Sequence, residues 1–189
     1  MVGRERELYV FMDDSNNGRK PLIVVAYFSR NRDDTNFKVR QMISGRNFRE
    51  LGLDYETIIR IMDRRDNYRF IEDYKERLGT DSRHLVLAAS PLIENFLDIS
   101  RENYERICIF LDGQVSSKDR DFIKEEVALD CEKKGYDHVS VNVEGVIKRK
   151  PTFKYPEGLR IADGVAHVLY TYPALRKKSA KKGKEVIFG

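Results

Sequence analysis

The sequence predicts an α/β fold, a mixed sheet with helices packed on its faces. Three observations predict it. Three short strand-like segments, separated by brief polar loops, open the chain and suggest an antiparallel meander. Helical and strand-like segments then alternate to the end. No internal repeat and no Gly/Ser-rich linker divides the 189 residues. They therefore read as one domain over 1–175 with a basic C-terminal tail over 176–189.

The first strand is the apolar run 8–12 (LYVFM), which stops at the turn-forming Asp13-Asp14-Ser15-Asn16-Asn17-Gly18. The second is 21–28 (PLIVVAYF), rich in β-branched and aromatic residues. Residues 37–43 (FKVRQMI) alternate apolar and polar with period two and read as the third. In the charged stretch 46–83, Ile58, Ile59 and Met62, then Phe70, Ile71 and Tyr74, recur at helical spacing and predict two short helices. Residues 84–89 fit strand or helix. Ser90-Pro91 has the form of a helix start, Ser as cap and Pro in the first turn, with Leu92, Ile93, Phe96 and Leu97 on one face. Residues 106–111 (RICIFL) predict a fourth strand ending at Asp112-Gly113. A helix starting between Ser117 and Asp121 carries Ile123, Val127 and Cys131 on one side and stops near Gly135. Residues 137–143 alternate as a fifth strand. The last helix follows Tyr155-Pro156-Glu157 and runs to Pro173.

Composition narrows the function classes. The chain is 41% hydrophobic, enough for a core, and 35% charged, above the roughly 25% of an ordinary soluble domain. No run approaches the 18 or so apolar residues of a membrane span, so no membrane partner is expected. Two cysteines, Cys108 and Cys131, cannot make a disulfide framework. With an N-terminus unlike a signal peptide, this predicts a reduced, cytoplasmic setting. The net charge of +4 is uneven: residues 176–184 (RKKSAKKGK) hold six basic residues and no acid, leaving the remainder mildly acidic. A second basic knot, 148–154 (KRKPTFK), carries Lys148, Arg149, Lys150 and Lys154 around Phe153. An acidic centre with a basic periphery suits a phosphate-bearing polymer. A basic tail is also an ordinary solubilising end.

Three acidic positions carry the chemistry. Asp13 and Asp14 follow one apolar strand and Asp112 another. Asp163 falls among Leu159, Ala162, Ala166 and Leu169 on the last helix. A carboxylate in such company is costly to bury without a cation or hydrogen bond. Each motif alone is an ordinary turn, and Asp163 could pair with Arg160. Taken together, two strand-end carboxylates and one helix carboxylate could converge on one point, where a divalent cation would relieve their repulsion. Mg²⁺ or Mn²⁺ prefers oxygen ligands and leaves room for water and substrate. Two such ions about 4 Å apart can serve phosphodiester hydrolysis.

In LYVFMDDSNN, ICIFLDG and GLRIADGVAHVLY the sequence resembles the ribonuclease H-like superfamily of metal-dependent nucleases. The likeness spans 8–172 and, more narrowly, is similar to a small archaeal branch of single-strand-specific exonucleases. It implies a ribonuclease H-like mixed sheet, with Asp13, Asp112 and Asp163 as catalytic, metal-binding carboxylates and Asp14 as an auxiliary acid. Many members carry a Glu on the helix after the meander; here Glu94 is the nearest candidate, beside Asn95 and Asp98. His167, one turn after Asp163, is a candidate proton shuttle or phosphate contact, and also an ordinary surface histidine. Lys148, Arg149, Lys150 and Lys154 are candidate contacts to nucleic acid, with Phe153, or Tyr155, stacking on a base.

The expected function is Mg²⁺- or Mn²⁺-dependent hydrolysis of single-stranded DNA, as a 3′–5′ exonuclease. The alternatives are a structure- or hybrid-specific endonuclease of the same fold and a non-catalytic nucleic-acid-binding module. A receiver-like phosphoacceptor also places paired acids after its first strand. Its early alternation of β and α is at odds with an opening meander.

Overall fold

The computed structural model describes residues 6–15, 22–30, 32, 57–62, 83–100, 102–147, 155–171 and 186–188. Six strands form one sheet: β1 (Glu7–Ser15), β2 (Leu22–Ser29), β3 (Thr57–Met62), β4 (Arg106–Asp112), β5 (Ser140–Val146) and β6 (Val186–Phe188). Their spatial order is β5-β4-β1-β2-β3-β6. β1, β2 and β3 pair antiparallel as a meander. β4 lies parallel to β1, β5 parallel to β4, and β6 parallel to β3. Three helices complete the chain: α1 (Arg83–Ser100), α2 (Ser117–Lys133) and α3 (Glu157–Thr171). A meander followed by alternating helices and parallel strands is the α/β mixed sheet that the sequence predicts.

The meander is as expected, but its third member is not. Residues 57–62, read above as helical, are strand β3. Ile58, Ile59 and Met62 satisfy a helical spacing, yet TIIRIM is mostly β-branched, and pairing along β2 favours the extended form. The predicted strand at 37–43 lies outside the described residues. The reading of Ser90-Pro91 as a helix start is also corrected. α1 begins seven residues earlier and carries Pro91 in its interior. That proline removes one helical N–H bond. The helix continues because residues 85–89 are all buried, and Ser90 spends its hydroxyl on Asp130 of α2 instead of capping. β6 falls within the segment read as a basic tail.

The cap of α2 is Ser116, one residue ahead of the predicted start. Its hydroxyl accepts from the Asp119 amide at 3.2 Å and donates to the Asp119 carboxylate at 2.7 Å. α2 ends in a Schellman arrangement, Tyr136 N–H to Cys131 C=O and Gly135 N–H to Glu132 C=O, both 2.9 Å. Gly135 (φ 76°) and His138 (φ 64°) hold the following turn. The fifth strand therefore starts at Ser140, three residues later than predicted.

The sheet divides the core in two. Leu8, Val10 and Met12 of β1 point to one side and meet α1 and α2. Phe28 stacks on Phe96 there, centroids 4.1 Å apart. Phe11, Val25, Tyr27 and Phe110 point to the other side, under Leu159, Ala162, Val165 and Ala166 of α3. Each large side chain buried in this way contributes roughly 1.5–3 kcal/mol. α3 sits close because Gly158 has no side chain: a Cβ there would lie 2.2 Å from the Phe11 ring. Gly158→Ala is expected to cost about 1–3 kcal/mol of stability through overpacking, read as a lower midpoint in urea unfolding at unchanged slope.

Candidate active site

Strand register places two of the predicted carboxylates side by side. Along β1 and β4, Phe11 is level with Phe110 and Met12 with Leu111. Phe11 and Phe110 share a face, their rings stacked with centroids 5.2 Å apart. Side chains alternate along a strand, so two residues further on Asp13 and Asp112 emerge level and on that same face. Asp112 is the last residue of β4 and Asp13 lies two residues before the end of β1, and parallel pairing sets them side by side. The chain leaves Asp112 through Gly113 (φ 101°), a backbone state that glycine adopts without strain.

Asp13 is buried, 4% exposed. Its Oδ1 accepts the Asp14 amide at 2.7 Å. Its Oδ2 is buried and finds no hydrogen-bond partner among the described residues. Burial first, then the Asp112 charge, with smaller pushes from Asp163 and Asp14, raise the Asp13 carboxyl to about 8; the Asp14 amide opposes them. Asp112 is half-buried and accepts a hydrogen bond on Oδ1 from the Tyr155 hydroxyl. Burial and that bond, then the charges of Asp112, Asp13 and Asp163, push the Tyr155 phenol far above its usual range. Asp13, Asp112, Asp163 and Tyr155 therefore lie within one electrostatic neighbourhood.

Asp163 is brought to this neighbourhood by a different route from the one expected. It was read as a carboxylate on the apolar side of the last helix. The structure places it on the exposed stripe of α3 with Arg160, His167 and Thr171, while Ala162, Val165 and Ala166 do the packing. His167 does lie one turn on along the same stripe, and its carbonyl accepts from Thr171 at 2.9 Å. Glu94 is not brought to the site. It belongs to α1, on the opposite side of the sheet, with Lys134 at 3.6 Å. Lys148, Arg149, Lys150, Phe153 and Lys154 lie outside the described residues. Tyr155, considered above only for base stacking, is instead 6% exposed and bonded to Asp112. No spacing rule would have found that role, because it joins the residue just ahead of α3 to the end of β4.

The donor set fits a hard divalent cation. All three acids offer oxygen, and Asp13 Oδ2 is an acceptor already stripped of water and left unpaired. Among the described residues, no three Asp, Glu, His or Cys side chains stand drawn up as a finished metal-binding group.

Similar chains occur among solved structures. The ribonuclease H2 of Pyrococcus horikoshii OT3 superposes with a TM-score of 0.45 and 17% identity, over 94% of this chain and 78% of that one. No protein-family model matches, and neither does any curated protein. No described helix is long and apolar enough to cross a membrane.

The raised Asp13 value has a consequence for stability. The folded-state carboxyl titrates near 8 against an ordinary 3.8. Its contribution is thus fully present below about pH 4 and is lost as pH rises toward 8. In EDTA, Asp13→Asn is expected to be more stable than wild type at pH 8, by on the order of a few kcal/mol. The gap should close toward pH 4. Urea unfolding across that range checks it, and parallel pH profiles for the two proteins would refute it.

Proposed function

We propose that this chain is a divalent-metal-dependent nuclease. Asp13, Asp112 and Asp163 would hold Mg²⁺ or Mn²⁺, and the substrate would be single-stranded DNA cut from the 3′ end. The observation that carries the reading is the buried, unpaired Asp13 oxygen beside Asp112, in a field of three carboxylates. Such a grouping repels itself, and a structure with no use for it would gain by replacing Asp13 with an apolar residue. The site residues and the single-strand, end-directed preference extend the ribonuclease H-like resemblance and are part of the proposal.

The bound cation would supply Lewis-acid stabilisation of charge on the phosphodiester and help activate water. The chain's own groups would do the rest. Asp13 fixes one carboxyl immovably, because its Oδ1 is tied to the Asp14 amide. Tyr155 would set the rotation of Asp112 by donating to its Oδ1. Asp163, exposed on α3, would complete the set from the solvent side. Asp14 would act by positioning Asp13, and His167 stands near enough along the helix to exchange protons with solvent at the rim. The basic residues Lys148, Arg149, Lys150 and Lys154, with Phe153, would flank the strand's path, and the basic tail would add salt-sensitive affinity.

Asp112→Asn is expected to lower Mg²⁺-dependent cleavage by about a thousandfold or more, roughly 4 kcal/mol of barrier. Single-strand binding in EDTA should stay within about twofold, since each 1.4 kcal/mol is tenfold in affinity. The assay uses end-labelled single strands, duplexes and RNA–DNA hybrids after chelation and metal re-supply. Mononucleotides from one end of single strands support the proposal. Internal fragments from duplex or hybrid would replace it with the endonuclease reading. A wild-type protein that binds but never hydrolyses would leave a binding module.

A further inference from the structure

The side of the sheet that carries Asp13 and Asp112 does not end at those two residues. Going back along the strands, partners in register form successive rows on the same face. Phe11, Phe110 and Glu144 make the first row, Tyr9, Cys108 and Asn142 the second, and Glu7, Arg106 and Ser140 the third. Rows are about 6.6 Å apart, twice the rise per residue. α3 packs on β1 and β2 and barely reaches β4. Among the described elements nothing else covers this side of β4 and β5. Phe11 lies under α3; the rest of these rows floor an open groove of about 420 Å³, walled by Arg32.

The chemistry of the groove is mixed rather than simply basic. The Arg106 guanidinium is paired with Glu7 at 2.9 Å, and Tyr9 donates to the same Glu7. That bond, then burial, raises the Tyr9 phenol to about 12, so it stays a neutral donor. Arg32 is exposed, with its guanidinium 5.4 Å above the Phe110 ring. On the β5 side, Asn142 and Glu144 are exposed and offer amide and carboxylate groups. A phosphate would be repelled by Glu144 and attracted by Arg32. A base, in contrast, can give its exocyclic amino group to Glu144 or Asn142 and lay its ring beside Tyr9, the half-buried aromatic of the floor.

We propose that this groove is a binding subsite for two or three successive unpaired nucleotides, holding bases toward β5 and backbone toward Arg32, and leading the strand to the carboxylates. That it leads to a reaction centre rests on the nuclease reading above. Binding in the groove itself does not. The rows explain why an unpaired strand suits it: the row spacing is close to the phosphate spacing of an extended single strand. A duplex would turn its base edges inward and leave Asn142 and Glu144 unmet.

Cys108 provides the test, because it lies in the floor of the groove and is half-buried, while Cys131 is 1% exposed on the other side of the sheet. The full chain in EDTA at pH 8.5 is treated with N-ethylmaleimide, with and without a short fluorescein-labelled single-stranded DNA of mixed sequence. At about ten times its Kd, the DNA should slow modification of Cys108 about tenfold. Arg32→Ala should weaken binding about tenfold and flatten the log–log salt dependence by about 0.7, the loss of one phosphate contact to a single strand. An unchanged Cys108 rate while anisotropy shows the DNA bound would overturn the proposal, as would an Arg32→Ala protein with wild-type affinity and slope. Neither measurement needs cleavage. A protein that protects Cys108 but never hydrolyses DNA in Mg²⁺ refutes the nuclease reading and leaves the groove. One that hydrolyses but does not protect Cys108 does the reverse.

Discussion

Placing the Asp13 carboxyl inside the sheet is the costly act around which this molecule is arranged. An ionised carboxylate removed from water costs several kcal/mol unless charge or hydrogen bonds replace what it lost. Here one oxygen has a single backbone amide and the other has nothing among the described residues. The carboxyl cannot retreat to solvent, since Phe11 and Tyr27 anchor β1 and β2 beneath α3. Nor can it move away from Asp112, because the parallel pairing of β1 with β4 keeps the two level. Parallel neighbours require a long crossover between them, so the site exists only once residues almost a hundred positions apart have met.

The two sides of the sheet serve different ends. On the side of α1 and α2 the interior is aliphatic and aromatic. The polar groups there are tied in local pairs, Ser90 to Asp130 and Lys134 to Asp98 and Glu94. Such partly exposed pairs contribute little individually and mainly fix how the helices sit. On the side of α3, packing stops short: the helix covers β1 and β2 and barely reaches β4, and no other described element covers β4 and β5 there. The acids lie at the boundary between the covered and uncovered halves. That boundary is where a bound molecule can reach groups already shielded from water on one side, and where electrostatic interactions gain strength from a lower local dielectric.

Much of this was legible in the residues. The apolar runs of β1, β2 and β4 are short and rich in β-branched and aromatic residues, so the strands could be placed directly, but β1 runs three residues past its apolar run, and Asp13 pairs with Val25 as a strand residue where the sequence suggested a turn. Segment 57–62 was misread because Ile58, Ile59 and Met62 satisfy both periodicities over so short a window, and the pairing with β2 that decides between them is not local. Ser90-Pro91 misled for a related reason. Its local chemistry favours a helix start, and the burial of residues 85–89 outweighs it. Asp163 was read from the average character of its neighbours, whereas a one-position rotation about the helix separates packed Ala162 from exposed Asp163. The Tyr155 contact was invisible, since it joins residues 43 apart, with a whole helix and strand between them.

Phe11 ties these parts together mechanically. One face of its ring fills the space left by Gly158 at the head of α3, and its neighbour in the stack, Phe110, forms part of the open floor beside Arg32. Interiors packed to this density transmit displacement rather than absorb it. Anything that tilts Phe110 must therefore press on Phe11, and through it on the helix that bears Asp163. The open rows of the sheet and the helix that carries Asp163 are thus joined mechanically through two stacked rings.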